Sequence, residues 1–195
     1  MKRKIYTIWT TLLVVILMAT PVYAGNIKLS GSWGSGSIHF NGYATGVGGY
    51  DGITVEIIGY GLPLETLCIN QGGNEAPGQN PGSVSVDGSI AIDPSKLDDT
   101  TTKGKTPVDV SAGEEIIIPG TDAGCPNDNW YGKIVNVDWT GATINVYEGV
   151  YSNPIPEDAL MLKTFEYTCY PENKVLNSDG TTYTLDCELV SSITY

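Results

Sequence analysis

The stretch KIVNVDWTGATINVY, residues 133–147, decides the fold class of this chain. Apolar residues recur on both sides of the central Thr140-Gly141 pair, as they do in strands that bury one face. Glycine beside a small polar residue is typical of a tight turn. The stretch therefore predicts a β-hairpin whose two strands meet at Thr140-Gly141.

Further strand-like segments lie on the N-terminal side of this stretch. Residues 53–60 alternate for most of their length, and 64–70 are expected to pair with them across Gly61-Leu62-Pro63. Residues 83–92 carry Asp87-Gly88 between two strand-like runs, which is the strongest short hairpin signal in the chain. We predict a hairpin at each of these places.

On the C-terminal side, residues 164–170 and 182–190 are expected to form the last hairpin. Turn residues recur about every 8–12 positions, as they do in β-sandwich domains. We predict an all-β fold, a single disulfide-linked β-sandwich that is Ig-like or related. The only helix expected is a short one near 156–162, which has proline and acids in its first turn.

Residues 1–24 have the pattern of a cleaved secretory signal peptide. Lys2, Arg3 and Lys4 precede an apolar run, and Val22-Tyr23-Ala24 supplies the small residues that signal peptidase reads. We expect a secreted protein, located in the extracellular space or at the cell surface, with no membrane insertion after cleavage. The remainder divides into a flexible Gly/Ser leader at 25–36, a sandwich core at 37–150, and a C-terminal extension at 151–195 whose hairpin packs on the same domain.

Charge excludes one class of partner. Removal of residues 1–24 takes three of the ten basic residues and leaves seven lysines, no arginine and 22 acids, a net charge of −15. Such a surface repels phosphate backbones and lacks the guanidinium that reads guanine. Nucleic acid is therefore not expected as a partner.

Four cysteines lie in the mature part of the chain: Cys68, Cys125, Cys169 and Cys187. An even number in an exported chain predicts two disulfides, for which three connectivities exist. We favour Cys169–Cys187, because these residues flank the last predicted hairpin, and Cys68–Cys125 then follows. A four-thiolate zinc site is the alternative, and it fits poorly because no pair has the close spacing of structural zinc sites.

Two cysteine motifs carry a resemblance to other proteins. The first is CINQGGNEAPGQNP at 68–81, and the second is Cys125-Pro126-Asn127 followed by Trp130. Over about residues 43–148 the chain resembles a group of small secreted bacterial proteins of unknown function that share both motifs. The resemblance implies a one-domain, disulfide-linked β protein in which Cys68 joins Cys125. It implies no activity.

The first motif has two interpretations. Glycine, asparagine and proline favour a rigid, irregular loop whose polar groups satisfy its own backbone. Alternatively, these side chains and the aromatic pair after the second cysteine motif form a ligand surface, as in a carbohydrate-binding module. That candidate surface consists of Asn70, Asn74, Gln79, Asn80, Trp130 and Tyr131.

Few residues in the chain suggest catalysis. His39 is the only histidine, no Gly-x-Ser-x-Gly motif is present, and cysteines in disulfides supply no nucleophile. We expect no catalytic residues and no cofactor other than calcium, for which the loop acids Asp122 and Asp128 are candidate ligands. The sequence lacks an EF-hand loop.

These observations favour a secreted, non-catalytic structural or adhesive protein, with self-assembly as an option. The leader at 25–36 is a candidate strand donor to a neighbouring copy. The expected partners are a second copy of the chain or an extracellular glycan or protein. A carbohydrate-binding module is the alternative function, and a small extracellular hydrolase is the third.

Overall fold

The computed structural model describes residues 27–97, 103–178 and 183–195. The predicted signal peptide at 1–24 lies outside these residues. The described chain contains ten β-strands, one turn of 3₁₀ helix at Pro94–Lys96 and no α-helix, so the all-β prediction is confirmed. The strands are β1 (Lys28–Ser35), β2 (Ile38–Thr45), β3 (Ile53–Asn70), β4 (Glu75–Pro77), β5 (Val84–Ile92), β6 (Thr106–Ala112), β7 (Ile116–Pro119), β8 (Trp130–Glu148), β9 (Met161–Leu176) and β10 (Tyr183–Thr194).

The strands form one antiparallel sheet that curls on itself. Its order is β4-β3-β8-β9-β10-β1-β2-β6, while β5 pairs with β3 and β7 pairs with β8. At the open side of the curl, β5 lies against β6: a Cβ on Gly88 would lie 2.0 Å from the backbone oxygen of Ser111. A β-sandwich has two separate sheets, whereas the strands here are hydrogen-bonded into one sheet. The Ig-like β-sandwich therefore stays a prediction.

The long strands β3 and β8 form the axis of the molecule. They pair along their full lengths, from Ile53 opposite Glu148 to Asn70 opposite Trp130. Toward one end, β5 and β9 flank this pair and continue the curl. Toward the other end, β4 and β7 flank it and form a second, smaller unit that we call the end sheet. Shifts in the β3–β8 register after residues 60 and 63 separate the two parts.

Three of the predicted turns lie inside continuous strands instead. Asp87-Gly88 is within β5, Thr140-Gly141 is within β8, and Gly61-Leu62-Pro63 is within β3. Close packing explains two of the glycines. Gly88 admits the backbone of β6, and a Cβ on Gly61 would lie 2.4 Å from a methyl group of Val137. These glycines remove side chains where strands approach, so they do not mark turns.

A flexible leader was expected at 25–36, but most of this segment forms strand β1. Residues Lys28–Ser35 pair with β2 along most of their length and with the start of β10. A Cβ on Gly31 would lie 2.4 Å from the backbone oxygen of Asn41, so glycine permits this close strand pairing. The segment is therefore part of the chain's own sheet and not a free leader.

The helix expected near 156–162 is absent from the structure. Ala159 N–H donates to Pro156 O at 3.0 Å, which makes a turn, and β9 begins at Met161. The backbone N–H of Glu148 donates to Leu160 O at 2.9 Å and closes residues 149–160 into a loop. The first of two prolines, Pro154 and Pro156, is only seven residues before β9 begins at Met161, which leaves no room for a stable helix.

The hydrophobic core fills the inside of the curl. Trp33 of β1 contacts Phe40 edge-on at 5.2 Å between ring centroids and Tyr167 of β9 at 4.8 Å. A Cβ on Gly59 of β3 would lie 2.5 Å from the Ile38 side chain of β2, although β2 and β3 are not paired. Strands from opposite sides of the curl therefore pack directly on each other.

Both predicted disulfides are present. Cys68 on β3 is bonded to Cys125 in the loop before β8, and Cys169 is bonded to Cys187 directly across the β9–β10 pair. The chain has no free cysteine. The prediction from the last hairpin is thus confirmed, and the four-thiolate zinc alternative is wrong.

Candidate functional site

The amide residues of the first cysteine motif bond to nearby backbone in their own loop, in β3 and in the Cys125 segment. Asn70 Oδ1 accepts the backbone N–H groups of Gly72 at 2.9 Å and Asn74 at 3.0 Å. Asn80 Nδ2 donates to Leu64 O at 2.9 Å. Gln79 lies over Gly124, and its backbone N–H donates to Ala123 O at 2.7 Å. These bonds support the interpretation of the motif as a rigid loop held to the Cys125 segment.

Trp130 and Tyr131 lie on the end sheet beside this loop. Trp130 is directly opposite Asn70 in the β3–β8 register, and Tyr131 is opposite Ile69. Trp130 is half-buried, and Tyr131 is 39% exposed. The structure therefore makes Asn70 and Trp130 cross-strand neighbours, whereas Tyr131, the next residue of β8, projects from the opposite face. Asn70 uses its oxygen within the loop.

The two candidate calcium ligands, Asp122 and Asp128, lie in the loop between β7 and β8. The Thr121 hydroxyl donates to Asp122 Oδ1 at 3.3 Å. In the described ranges, no group of three or more His, Cys, Asp or Glu side chains is arranged to hold a metal ion. Calcium binding stays a prediction.

His39 lies on the outer face of the β2–β6 pair. Its Nε2 is 2.5 Å from Asp109 Oδ1, and Asn41 donates to the other oxygen of the same carboxylate. Ser111 is opposite His39 in the register, but its hydroxyl donates to Glu114 at 3.2 Å. The serine hydroxyl is therefore directed to a carboxylate and not to the imidazole.

A buried polar network crosses the outer face of β3, β8 and β9. Glu56 Oε2 accepts from Asn145 Nδ2 at 2.8 Å and from the Tyr147 hydroxyl at 2.9 Å. Asn145 Oδ1 accepts from the Thr164 hydroxyl at 2.8 Å. Burial, and then the hydrogen bond to Glu56, raise the pKa of Tyr147 to about 12. Sequence reasoning missed this network, although its signal was polar residues at alternate positions of apolar strands.

The raised pKa of Tyr147 predicts that the protein loses stability in strong alkali. Between pH 10 and about 12 the unfolded chain loses the Tyr147 proton while the folded chain keeps it, so the free energy of unfolding falls as pH rises. The stabilisation is fully present below pH 10. Urea unfolding across this range is expected to show a shallower decline for Tyr147→Phe than for the wild type. A Tyr147→Phe variant with the full wild-type decline would contradict the assignment.

A cavity of about 230 Å³ lies where β9 leaves β8. The β8–β9 pairing ends at Gly141 opposite Thr168, so residues 135–140 of β8 continue toward the end sheet without β9. Beyond Tyr170, β9 carries extra residues at 171–174 relative to β10. The cavity is lined by Ser35, Gly36, Asn136, Val137, Asp138, Trp139, Pro171, Lys174, Tyr183 and Leu185.

An ion pair and an aromatic ring give this cavity its polar chemistry. Lys174 Nζ donates to Asp138 Oδ1 at 3.2 Å, and both side chains remain about one-third exposed. The same ammonium lies 5.5 Å from the centroid of the Tyr183 ring. Trp139 and Leu185 are buried beneath. None of these residues was singled out as a site from the sequence, because Asp138, Lys174 and Tyr183 come from three separate strands.

Comparison with protein-family models, curated proteins and solved structures returns no match for this chain. The resemblance noted from the cysteine motifs therefore stays a prediction. Within the described part of the chain, no helix is long and apolar enough to cross a membrane.

Proposed function

We propose that this is a secreted, non-catalytic structural or adhesive protein that associates with copies of itself through strand β10. The observation that carries the proposal is an unpaired strand edge. Residues 186–189 and 191–194 of β10 pair with β9, but on the opposite edge only residues 183–185 pair with β1. Within the described residues, positions 186–194 of β10 therefore have no strand on the side away from β9.

Three apolar side chains are exposed along this edge, among polar ones that include Asp186 and Glu188. Leu189 is 53% exposed, Val190 is 66% exposed and Ile193 is 49% exposed. Soluble proteins protect long edges with lysine, proline or bulges, because unpaired backbone groups accept another strand. This edge has a register shift at residue 190 but contains neither lysine nor proline. Its composition supports strand addition.

A second copy of the chain is the partner that fits best. Two β10 strands related by a two-fold axis would pair antiparallel, which gives a closed, self-complementary contact. With the axis at Ser191, Glu188 would lie opposite Thr194, so that no carboxylate faces its own copy. Because the mature chain carries a net charge of −15, the copies repel each other at long range. Association is therefore expected to strengthen with salt.

We propose that the protein works outside the cell. Two disulfides suggest an oxidising extracellular environment. Secretion and a location outside the cell or at its surface follow from the predicted signal peptide.

We also propose that the curl forms the two layers of an Ig-like sandwich, which the packing of Gly59 against Ile38 supports.

A charged edge is expected to abolish self-association. Val190→Lys combined with Ile193→Lys places ammonium groups along β10, and an added strand would bury them. Light scattering over a concentration series, at low and high salt, is expected to show assemblies of the wild type and only monomers of this variant. The control is Val175→Lys, because Val175 is 65% exposed on β9, away from this edge. The control should assemble like the wild type.

Two results would overturn this proposal. One is a wild-type protein that stays monomeric at every concentration and salt. The other is a double-lysine variant that assembles as strongly as the wild type, which would place the contact elsewhere. Repeating the series with calcium and with a chelator tests separately whether the predicted calcium binding affects assembly.

A further inference from the structure

We propose that the cavity between β8, β9 and β10 is a binding site for a single neutral sugar ring. This inference does not depend on self-association through β10. The cavity volume is about 230 Å³. Sites for drug-sized ligands run from about 300 to 1,000 Å³, so this one suits a ligand of one ring.

The ion pair in the cavity wall selects a neutral polyhydroxylated ligand. Asp138 presents a carboxylate that only accepts hydrogen bonds, and Lys174 beside it presents an ammonium that only donates. A sugar hydroxyl does both, so neighbouring hydroxyls can bond to the two groups at once. Asn136 adds an amide that donates and accepts.

Charged ligands suit the same wall less well. An anionic ligand would meet Asp138 within an acidic protein, and a cationic ligand would meet Lys174. Either would have to separate an ion pair that is already formed at 3.2 Å. A neutral ligand keeps the pair intact, which is the basis of the predicted preference.

The apolar part of the cavity suits the C–H face of a sugar ring. Tyr183 is 37% exposed at the wall and Pro171 adds apolar surface, while Trp139 and Leu185 are buried in the floor. The Trp139 indole N–H donates to Gly36 O at 3.3 Å, so the floor is held in place before a ligand arrives. Apolar walls with a few fixed polar groups are typical of small-molecule sites.

The test is an NMR titration of the mature protein with methyl glycosides of glucose, galactose and mannose. Glucuronate and glucosamine serve as charged comparators. At least one neutral glycoside is expected to bind saturably, with a dissociation constant on the order of 1 mM. Its shift changes should include the Trp139 indole N–H, and the charged comparators should bind more weakly. The same result is expected for the double-lysine β10 variant, which separates this site from self-association.

Matched variants identify the residues responsible. Asp138→Asn and Tyr183→Ala should each weaken binding about tenfold, since each removes one major contact. The controls are Glu115→Gln, which breaks a surface ion pair with Lys133 at 3.0 Å, and Tyr131→Ala, whose ring is 39% exposed on the end sheet. Both controls should bind like the wild type.

Three results would overturn the proposal. They are the absence of saturable binding by every neutral glycoside, tighter binding of a charged comparator, and loss of binding in Tyr131→Ala. The last would place the sugar on the end sheet. The wild-type titration tests the proposal without any variant, because the sugar must shift the Trp139 indole N–H signal. The proposal therefore remains falsifiable even where a variant fails to fold.

Discussion

Replacing Cys68 and Cys125 together with alanine is expected to lower the free energy of unfolding by about 4 kcal/mol. The bond joins residues 57 positions apart, so its loss frees a long loop in the unfolded chain. In the folded chain it connects β3 to the loop before β8, in the end sheet, where β4 and β7 are only three and four residues long. Urea unfolding measures the total loss. Amide hydrogen exchange should show the end sheet opening before the curled sheet.

The second disulfide provides the matched control. Cys169 and Cys187 are 18 positions apart and lie directly opposite each other on paired strands, so their replacement should cost about 3 kcal/mol. Its removal should loosen β10 and leave the end sheet protected from exchange. An equal or larger loss from the second pair, or unchanged exchange of β4 and β7 in the first variant, would contradict this account.

The strand content of the fold was predictable from local sequence, but the strand lengths were not. Thr140-Gly141 and Asp87-Gly88 have the composition of tight turns, and both lie inside long strands. What overrides the turn preference is tertiary packing. Gly88 must lack a side chain because β6 passes against it, and β6 is distant in sequence. A local pattern contains no information about such an approach.

The predicted site residues show the same limit. Asn70 and Asn80 are polar residues with a motif around them, and their side chains bond to the backbone of the motif loop and of β3, respectively. The proposed sugar site instead uses Asp138, Lys174 and Tyr183, which belong to three different strands and carry no motif. Only the departure of β9 from β8 brings them together. The disulfide of the last hairpin was predictable because its residues are close in sequence and directly opposed.

Trp139→Ala is expected to lower the free energy of unfolding by about 3–5 kcal/mol, which is the range for a buried tryptophan. Its side chain is 1% exposed. The substitution removes the hydrophobic burial of the indole and its hydrogen bond to Gly36 O. Small domains have about 5–15 kcal/mol of stability in total, so this single change consumes a large part of it. Urea unfolding followed by far-UV circular dichroism measures the loss.

The surroundings of Trp139 explain why the cost should lie at the upper end of this range. Added Cβ atoms on Gly59, Gly61 and Gly113 would lie 3.2, 3.0 and 3.3 Å from its ring atoms, so the indole rests directly on glycine backbone. Gly59 and Gly61 belong to the paired strand β3, whose backbone cannot move in to fill the space, and the cost of a cavity rises with the volume that remains. Trp130→Ala is the control, because Trp130 is half-buried on the end sheet and should cost less. If the two alanine variants lose the same stability, the core of the curl does not depend on Trp139 in this way.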